Sequence, residues 1–322
     1  MKNGMNLHRI LFIPKHYNSL QEVIMPLDAY IIAVFCLIDD LYSELKQKIK
    51  VRKAGYSPTV SDCELITMLL VGELLGLADN KKIWLYFKSN FLHFFPSLNH
   101  ERYKIFNKQA TNLWCVIGEL HKVLLNSIGV WQHYLADGIP FPICHLARAK
   151  RSTLFKQYVA KHYCAAKNER YYGFKLLLVT SESGIPINYT LDAANIDERE
   201  LLSRIDLPEG SSIIADKGFI SKELTAKLNR SSGIKLITPP RRNMYQQISA
   251  RTSKMITTVR KRIETTISQL TECFNLNTTK ARSIHGLIGR INRKILSYTT
   301  ALFFNYQIVK DQFTKLELLI QG

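Results

Sequence analysis

The stretch SSIIADKGFI, residues 211–220, combines the pattern of an interior strand with a charged end. Ile213, Ile214 and Ala215 form a short apolar run typical of a buried strand, and Asp216 follows directly. A carboxylate in apolar surroundings is costly unless a cationic group compensates it. The interpretation of Asp216 therefore depends on which other groups of the chain meet it at the end of this strand.

Strand and helix patterns around this stretch predict a mixed α/β sheet with helices packed on it. GVWQHYLADGIP predicts a strand that ends at Asp137, and YYGFKLLLVTSESGIPINYTLDAA predicts a hairpin around a Ser-Glu-Ser-Gly turn. DERELLSRI is a short helix with Asp197 as its N-cap. After the opening strand come a helix with Ser221 as its N-cap and Gly233 as its end, the strand IKLITPP and two further helices.

The first part of the chain predicts an all-helical unit. SPTVSDCELITMLLVGELLG, for example, has Ser61 as an N-cap with Glu64 three residues later, which is the pattern of a capping box. We expect a helical N-terminal domain over 1–128, a catalytic α/β domain over 129–310 and a C-terminal tail over 311–322.

The charge of the chain favours a polyanionic partner. Its 322 residues contain 44 Lys and Arg against 26 Asp and Glu, which gives a formal net charge of +18. The excess is concentrated in the second half: the stretch 241–310 contains 13 Lys and Arg, and its acids are Glu264 and Glu272. Nucleic acid is the first candidate, and a generally basic surface or docking on anionic lipid are the alternatives.

The six cysteines are scattered and form no CxxC pair, which argues against a zinc or redox motif. No signal peptide pattern is present at the N-terminus. The apolar run YIIAVFCLI, residues 30–38, is too short to span a bilayer. We expect a cytoplasmic protein without a membrane partner.

Three acids are candidates for one site. Asp137 and Asp216 each follow an apolar strand and have a glycine within two residues, and ligands of open α/β sheets gather beyond strand ends. Glu264 follows the apolar position Ile263 of a long helix and so flanks its buried stripe. Converging carboxylates would select Mg²⁺ or Mn²⁺, and two such ions suit phosphoryl transfer.

Each acid also has an ordinary structural interpretation. Asp137 is compatible with a turn before Gly138, Asp216 with a loop acid, and Glu264 with an i,i+4 partner of Arg260. The residue pattern taken alone leaves both interpretations open.

At these residues the chain resembles a DDE transposase of bacterial insertion sequences, and most closely insertion-sequence group nine-eight-two, which is related to the IS-four type. The resemblance covers most of the chain. LADGIP resembles the first acidic motif, IIADKGFI the second, and VRKRIETTISQL the region of the third acid; the hairpin stretch that begins YYGFKLLLVTSESG is the most specific.

The resemblance implies a ribonuclease-H-like fold in which Asp137, Asp216 and Glu264 are the catalytic and metal-binding triad, with Mg²⁺ or Mn²⁺ as cofactor and two ions expected. Arg260 matches the arginine of the Tyr-Arg-Glu-Lys signature in related families. Thr257 and Thr271 stand where that signature has tyrosine and lysine. This departure removes the basis for assigning DNA-end contacts to those two positions.

The expected function is therefore metal-dependent cleavage of DNA at transposon ends and strand transfer into target DNA. The alternatives are a non-enzymatic DNA-binding protein, such as a decayed transposase, and a nuclease without strand transfer. The expected partners are double-stranded DNA, as terminal inverted repeats and target, and further copies of the chain in a homodimer or higher synaptic assembly. The residues expected to contact DNA are Arg241, Arg242, Arg260, Lys261, Arg262, Lys280 and Arg282.

Overall fold

The computed structural model describes residues 25–50, 57–164, 168–241, 249–278 and 280–309. The chain divides into two compact units, one formed by 1–129 together with 284–322 and the other by 130–283. The predicted tail, 311–322, lies outside the described residues.

Helices precede and follow a block that contains all the described strands. In chain order the elements are α1 Leu27–Lys48, α2 Asp62–Leu74, α3 Asn80–Asn90, α4 Tyr103–Asn112, α5 Trp114–Ile128, β1 His133–Cys144, β2 Ala160–Cys164, β3 Glu169–Ser181, β4 Pro186–Ala193, α6 Glu198–Leu202, β5 Ser212–Ala215, α7 Lys222–Ser232, β6 Lys235–Ile237, α8 Ala250–Glu272 and α9 Ile284–Val309. None of the helices within the described ranges is both long and apolar enough to cross a membrane.

The helical unit is built from α1 to α5 and α9. Helix α2 begins with the predicted capping box, in which the Ser61 hydroxyl accepts from the Glu64 N–H and the Glu64 carboxylate accepts from the Ser61 N–H. Helix α9 packs on α5 and α2 and contributes fully buried residues such as Leu296 and Phe304. The expected catalytic domain, 129–310, included α9, whereas the structure groups this helix with the N-terminal helices because its apolar face is buried among them.

The second unit contains one mixed sheet, which in the described part of the chain has six strands in the order β2-β3-β1-β5-β6, with β4 also paired to β3. Strand β3 runs antiparallel to β1, β2 and β4. Strands β1, β5 and β6 are parallel to each other. The predicted mixed α/β sheet with flanking helices is confirmed, and it is consistent with a ribonuclease-H-like fold.

The two faces of this sheet are covered by different helices. On one face, Ala136, Ile213 and Ala215 pack with residues of α6 and α7 and with Phe219, which is fully buried. On the other face, Leu135 and Ile214 pack against Ile256 and Ile263 of α8. Side chains alternate along a strand, so neighbouring residues of β1 and β5 belong to opposite layers.

Two details differ from the sequence prediction. Strand β1 does not end at Asp137 but continues to Cys144, paired with β3 from Tyr134 onwards with one irregularity between Pro142 and Cys144. Strand β5 pairs with β1 only as far as Ala136, so the prolines at 140 and 142 lie in the part of β1 that has no β5 partner. A strand tolerates proline there, because the missing N–H is not needed for a hydrogen bond to β5. The short strand β2, which pairs with the beginning of β3, was not predicted.

Candidate active site

Asp137 of β1 and Asp216, which directly follows β5, lie beside each other. Ala136 of β1 is paired with Ala215 of β5 in parallel register, and the two acids are the next residue of each strand. Strand β5 ends at Ala215, so Asp216 leaves the sheet beside Asp137. Alternation places Asp137 on the face of Leu135, which is covered by α8. The register therefore delivers two carboxylates to the end of a buried strand.

Helix α8 brings an arginine and a third carboxylate to the same place. Buried Ile263 anchors the helix on the sheet, and Arg260 lies one turn earlier. The Arg260 Nη1 is 3.1 Å from the Asp216 Oδ1, and its Nη2 is 3.8 Å from the Glu264 Oε1. Arg260 thus connects the end of β5 to Glu264. The i,i+4 pair of Arg260 and Glu264 is formed, and it is part of this larger arrangement.

The carboxylates differ in their surroundings. Burial raises the pKa of Asp137 to about 6, an effect that a hydrogen bond from the Gly138 N–H and the charge of Arg260 partly offset. Nearby Glu198 and Asp216 raise the pKa of Asp137 further. The side chains of Asp216 and Glu264 are 48% and 56% exposed. The site therefore combines one enclosed carboxylate with two that face solvent, and its acids exceed the single charge of Arg260.

Comparison with known protein families agrees with this arrangement. Residues 130–284 match the transposase DDE domain. The matched segment coincides with the second compact unit, 130–283, to within one residue. It supports a DDE transposase, and the finer assignment to insertion-sequence group nine-eight-two stays a prediction. No curated protein and no solved structure matches the chain.

The donor atoms of this site fit a hard divalent cation, because every candidate ligand is a carboxylate oxygen. Asp216 and Glu264 are exposed enough to turn towards an ion. Within the described ranges, however, no group of three or more histidine, cysteine, aspartate or glutamate side chains is arranged to hold a metal ion. The guanidinium of Arg260 is the cation that stands next to Asp216 and Glu264 in this arrangement.

Glu198, a residue that sequence reasoning missed, reaches this site from helix α6. Its Oε1 lies 2.5 Å from the point where a side chain at Gly138 would begin, and its Oε2 lies 3.9 Å from the corresponding point at Gly218. Neither glycine is among the described residues with positive φ. Each glycine therefore matters because its missing side chain leaves room for the Glu198 carboxylate, and not because it adopts a left-handed backbone conformation. The glycine close to each acid was the available signal for this approach.

The residues expected to contact DNA occupy different environments. Lys261, Lys280 and Arg282 are exposed. Arg262 is half-buried, and its stem lies beside Gly184 in the turn between β3 and β4. Arg260 is engaged by the acids, and Arg241 is exposed at the end of the described stretch. Arg242 lies outside the described residues.

Proposed function

We propose that this protein is a transposase that cleaves DNA at the ends of a transposable element and joins those ends to target DNA. The observation that carries the proposal is the placement of Asp137 and Asp216 at the end of β5, with Glu264 connected to Asp216 through Arg260. The match to the transposase DDE domain and the net charge of +18 support it.

Asp137, Asp216 and Glu264 would hold Mg²⁺ or Mn²⁺, with two ions expected. When bound, such ions supply activation of the attacking oxygen and stabilisation of charge on the phosphodiester. Asp137, with a pKa of about 6, is mainly ionised at neutral pH and available as a ligand. The enclosed position of Asp137 holds its carboxylate in one place, whereas the exposed acids have room to adjust.

The proposed reaction has two steps, hydrolysis at the end of the element and transesterification into the target. In the first, water adds to phosphorus while the bond from phosphorus to the 3′ oxygen of the element breaks, so that the element gains a 3′-hydroxyl and the flanking DNA keeps the phosphate. In the second, that 3′ oxygen attacks a target phosphodiester, and a 3′ oxygen of the target leaves with a proton. A homodimer or higher assembly that holds two ends stays a prediction.

The direct test is a cleavage and joining assay with the full chain and a DNA fragment that carries the ends of its own element. We expect nicked and joined products with Mg²⁺ or Mn²⁺ and neither product in EDTA. Nicks without joined DNA would favour a nuclease. Specific binding of the ends without cleavage in either metal would favour a non-enzymatic DNA-binding protein, and both of these results would contradict the proposal.

DNA binding is expected to weaken steeply with salt. If the seven predicted residues contact phosphates, affinity should fall about 10³- to 10⁵-fold between roughly 50 and 200 mM salt, because each neutralised phosphate releases counterions. Fluorescence anisotropy with labelled duplex DNA measures this slope.

Lys261→Ala should reduce that slope by about one, because Lys261 is exposed on α8, next to the site. Lys222→Ala is the matched control, since Lys222 is exposed on α7, which covers the other face of the sheet. A slope that is flat in the unmodified protein, or that changes equally in both variants, would exclude these residues as the phosphate-binding surface.

A further inference from the structure

Glu198 lies beside the part of β1 that extends beyond the end of its neighbour β5. It is the first residue of α6, whose N-terminus is capped by the Asp197 carboxylate through the Arg199 N–H. Helix α6 packs on the face opposite to α8. Beside Gly138, however, β1 has no β5 partner, because their pairing ends at Ala136 and Ala215. The Glu198 carboxylate can therefore approach Asp137 and Asp216 from the side of α6, past the end of β5.

A buried lysine is placed to orient this carboxylate. Lys175 lies in the leucine-rich strand β3 and is only 6% exposed, which is unusual for a charged side chain. Its Nζ donates to the Ile196 carbonyl at 3.0 Å, lies 3.5 Å from the His162 Nε2, and is 3.8 Å from the Glu198 Oε1. The backbone carbonyl fixes the ammonium group just before α6, where its charge attracts the Glu198 side chain towards β1.

The position of Glu198 and its charge both indicate that it belongs with Asp137 and Asp216. Both glycines that accompany the candidate acids face Glu198, so a side chain at Gly138 would occupy the position of its Oε1. Glu198 therefore adds a third carboxylate close to Asp137 and Asp216, and like charges held near each other repel unless a cation binds among them.

We propose that Glu198 is a fourth carboxylate of the DDE active site, held towards Asp137 and Asp216 by Lys175, and that it contributes to binding of the divalent cation. This inference rests on the proposed function and adds a residue to its site. It also explains why a glycine follows each of the two aspartates closely: the two glycines leave the path along which Glu198 reaches the end of β5.

The test measures Mn²⁺ binding to the full chain by electron paramagnetic resonance, with and without duplex DNA that carries the element's ends. We expect Glu198→Gln to weaken Mn²⁺ binding about 10- to 100-fold, the range found when groups that support a metal site are removed. Glu200→Gln is the matched control, since Glu200 lies on the same helix, is exposed, and pairs with Arg204. It should bind Mn²⁺ like the unmodified protein.

Gly138→Ala offers a second route to the same site. The Glu198 Oε1 is the mobile end of its side chain, so the added methyl group should displace the carboxylate while the fold is retained, which circular dichroism can verify. Mn²⁺ affinity should fall as in Glu198→Gln. In a Glu198→Ala background, Gly138→Ala should cause no further loss. An equal loss in both backgrounds would mean that Gly138 acts independently of Glu198 and would overturn the inference.

Asp216→Asn separates the failure of this inference from failure of the proposed function. If Asp216→Asn abolishes Mn²⁺ binding and Glu198→Gln leaves it unchanged, the triad stands and the role of Glu198 is refuted. If the unmodified protein binds no Mn²⁺ with or without DNA, the metal-dependent function and the role of Glu198 both fail. Weakening by Glu198→Gln, with Glu200→Gln unchanged, supports both.

Discussion

Replacing Asp216 with asparagine is expected to lower the rate of cleavage at a transposon end by about 10³-fold, the upper range for loss of one group that stabilises transition-state charge. The substitution keeps the size of the side chain and removes its negative charge. Asp216 is half-exposed, and its Oδ1 is paired with Arg260 at 3.1 Å, so the fold should tolerate asparagine. Cleavage rates under single-turnover conditions with saturating DNA measure the effect on the chemical step.

Asp206→Asn provides the matched control, because Asp206 is an exposed acid of the same unit. Its cleavage rate should equal that of the unmodified protein. DNA affinity of Asp216→Asn should be unchanged or slightly higher, since a negative charge is lost near the bound phosphates. A protein with Asp216→Asn that cuts at the full rate would remove Asp216 from the proposed triad.

Replacing Glu73 with glutamine is expected to destabilise the helical unit by about 3–5 kcal/mol, the usual result when one partner of a buried ion pair is lost. Glu73 is 2% exposed. Its carboxylate contacts the Arg293 guanidinium, and its Oε2 accepts from the Lys294 Nζ at 2.5 Å. Arg293 and Lys294 are themselves buried, so glutamine would leave two enclosed cations without the acid that compensates them.

Urea unfolding followed by tryptophan fluorescence measures this change, since Trp84 and Trp114 both belong to the helical unit. Glu119→Gln is the matched control, because Glu119 pairs with Lys122 on the exposed surface of α5. Its cost should stay below about 1 kcal/mol, the usual value of an exposed pair. Equal effects of the two substitutions would show that burial of the Glu73 cluster is not what stabilises this unit.

Helix ends were predicted correctly where a side chain or a glycine interacts with backbone groups a few residues away. Ser61, Asp197 and Ser221 were predicted as N-caps, and each accepts a hydrogen bond from a backbone N–H of the helix that follows. Gly233, with φ of 62°, ends α7 as predicted. The extent of β1 was predicted wrongly, because prolines usually mark a strand end and the sequence does not show that this edge has lost its β5 neighbour.

The candidate site was predictable in part. The positions of Asp137 and Asp216 after apolar runs predicted that they meet, and both lie one residue beyond Ala136 and Ala215, the last pair in the register of β1 and β5. Glu198 and Lys175 were not predicted as site residues, although Asp197 was correctly predicted as the cap beside Glu198. Their relation depends on the mutual placement of β3, α6 and the part of β1 beyond its pairing with β5, which no local sequence pattern contains.

The sequence by itself determined the helix caps, the apolar stripe of α8, the buried strand that ends at Asp216 and the positive charge of the chain. Each of these depends on residues within a few positions of each other, or on composition. Only the tertiary structure decided that Arg260 connects Asp216 to Glu264, that Glu198 fills the space left by Gly138, and that α9 packs with the first helices. Lys294 and Glu73 are 221 residues apart, and partners at such distances are chosen by burial and charge compensation in the folded chain, which act through space rather than along the sequence.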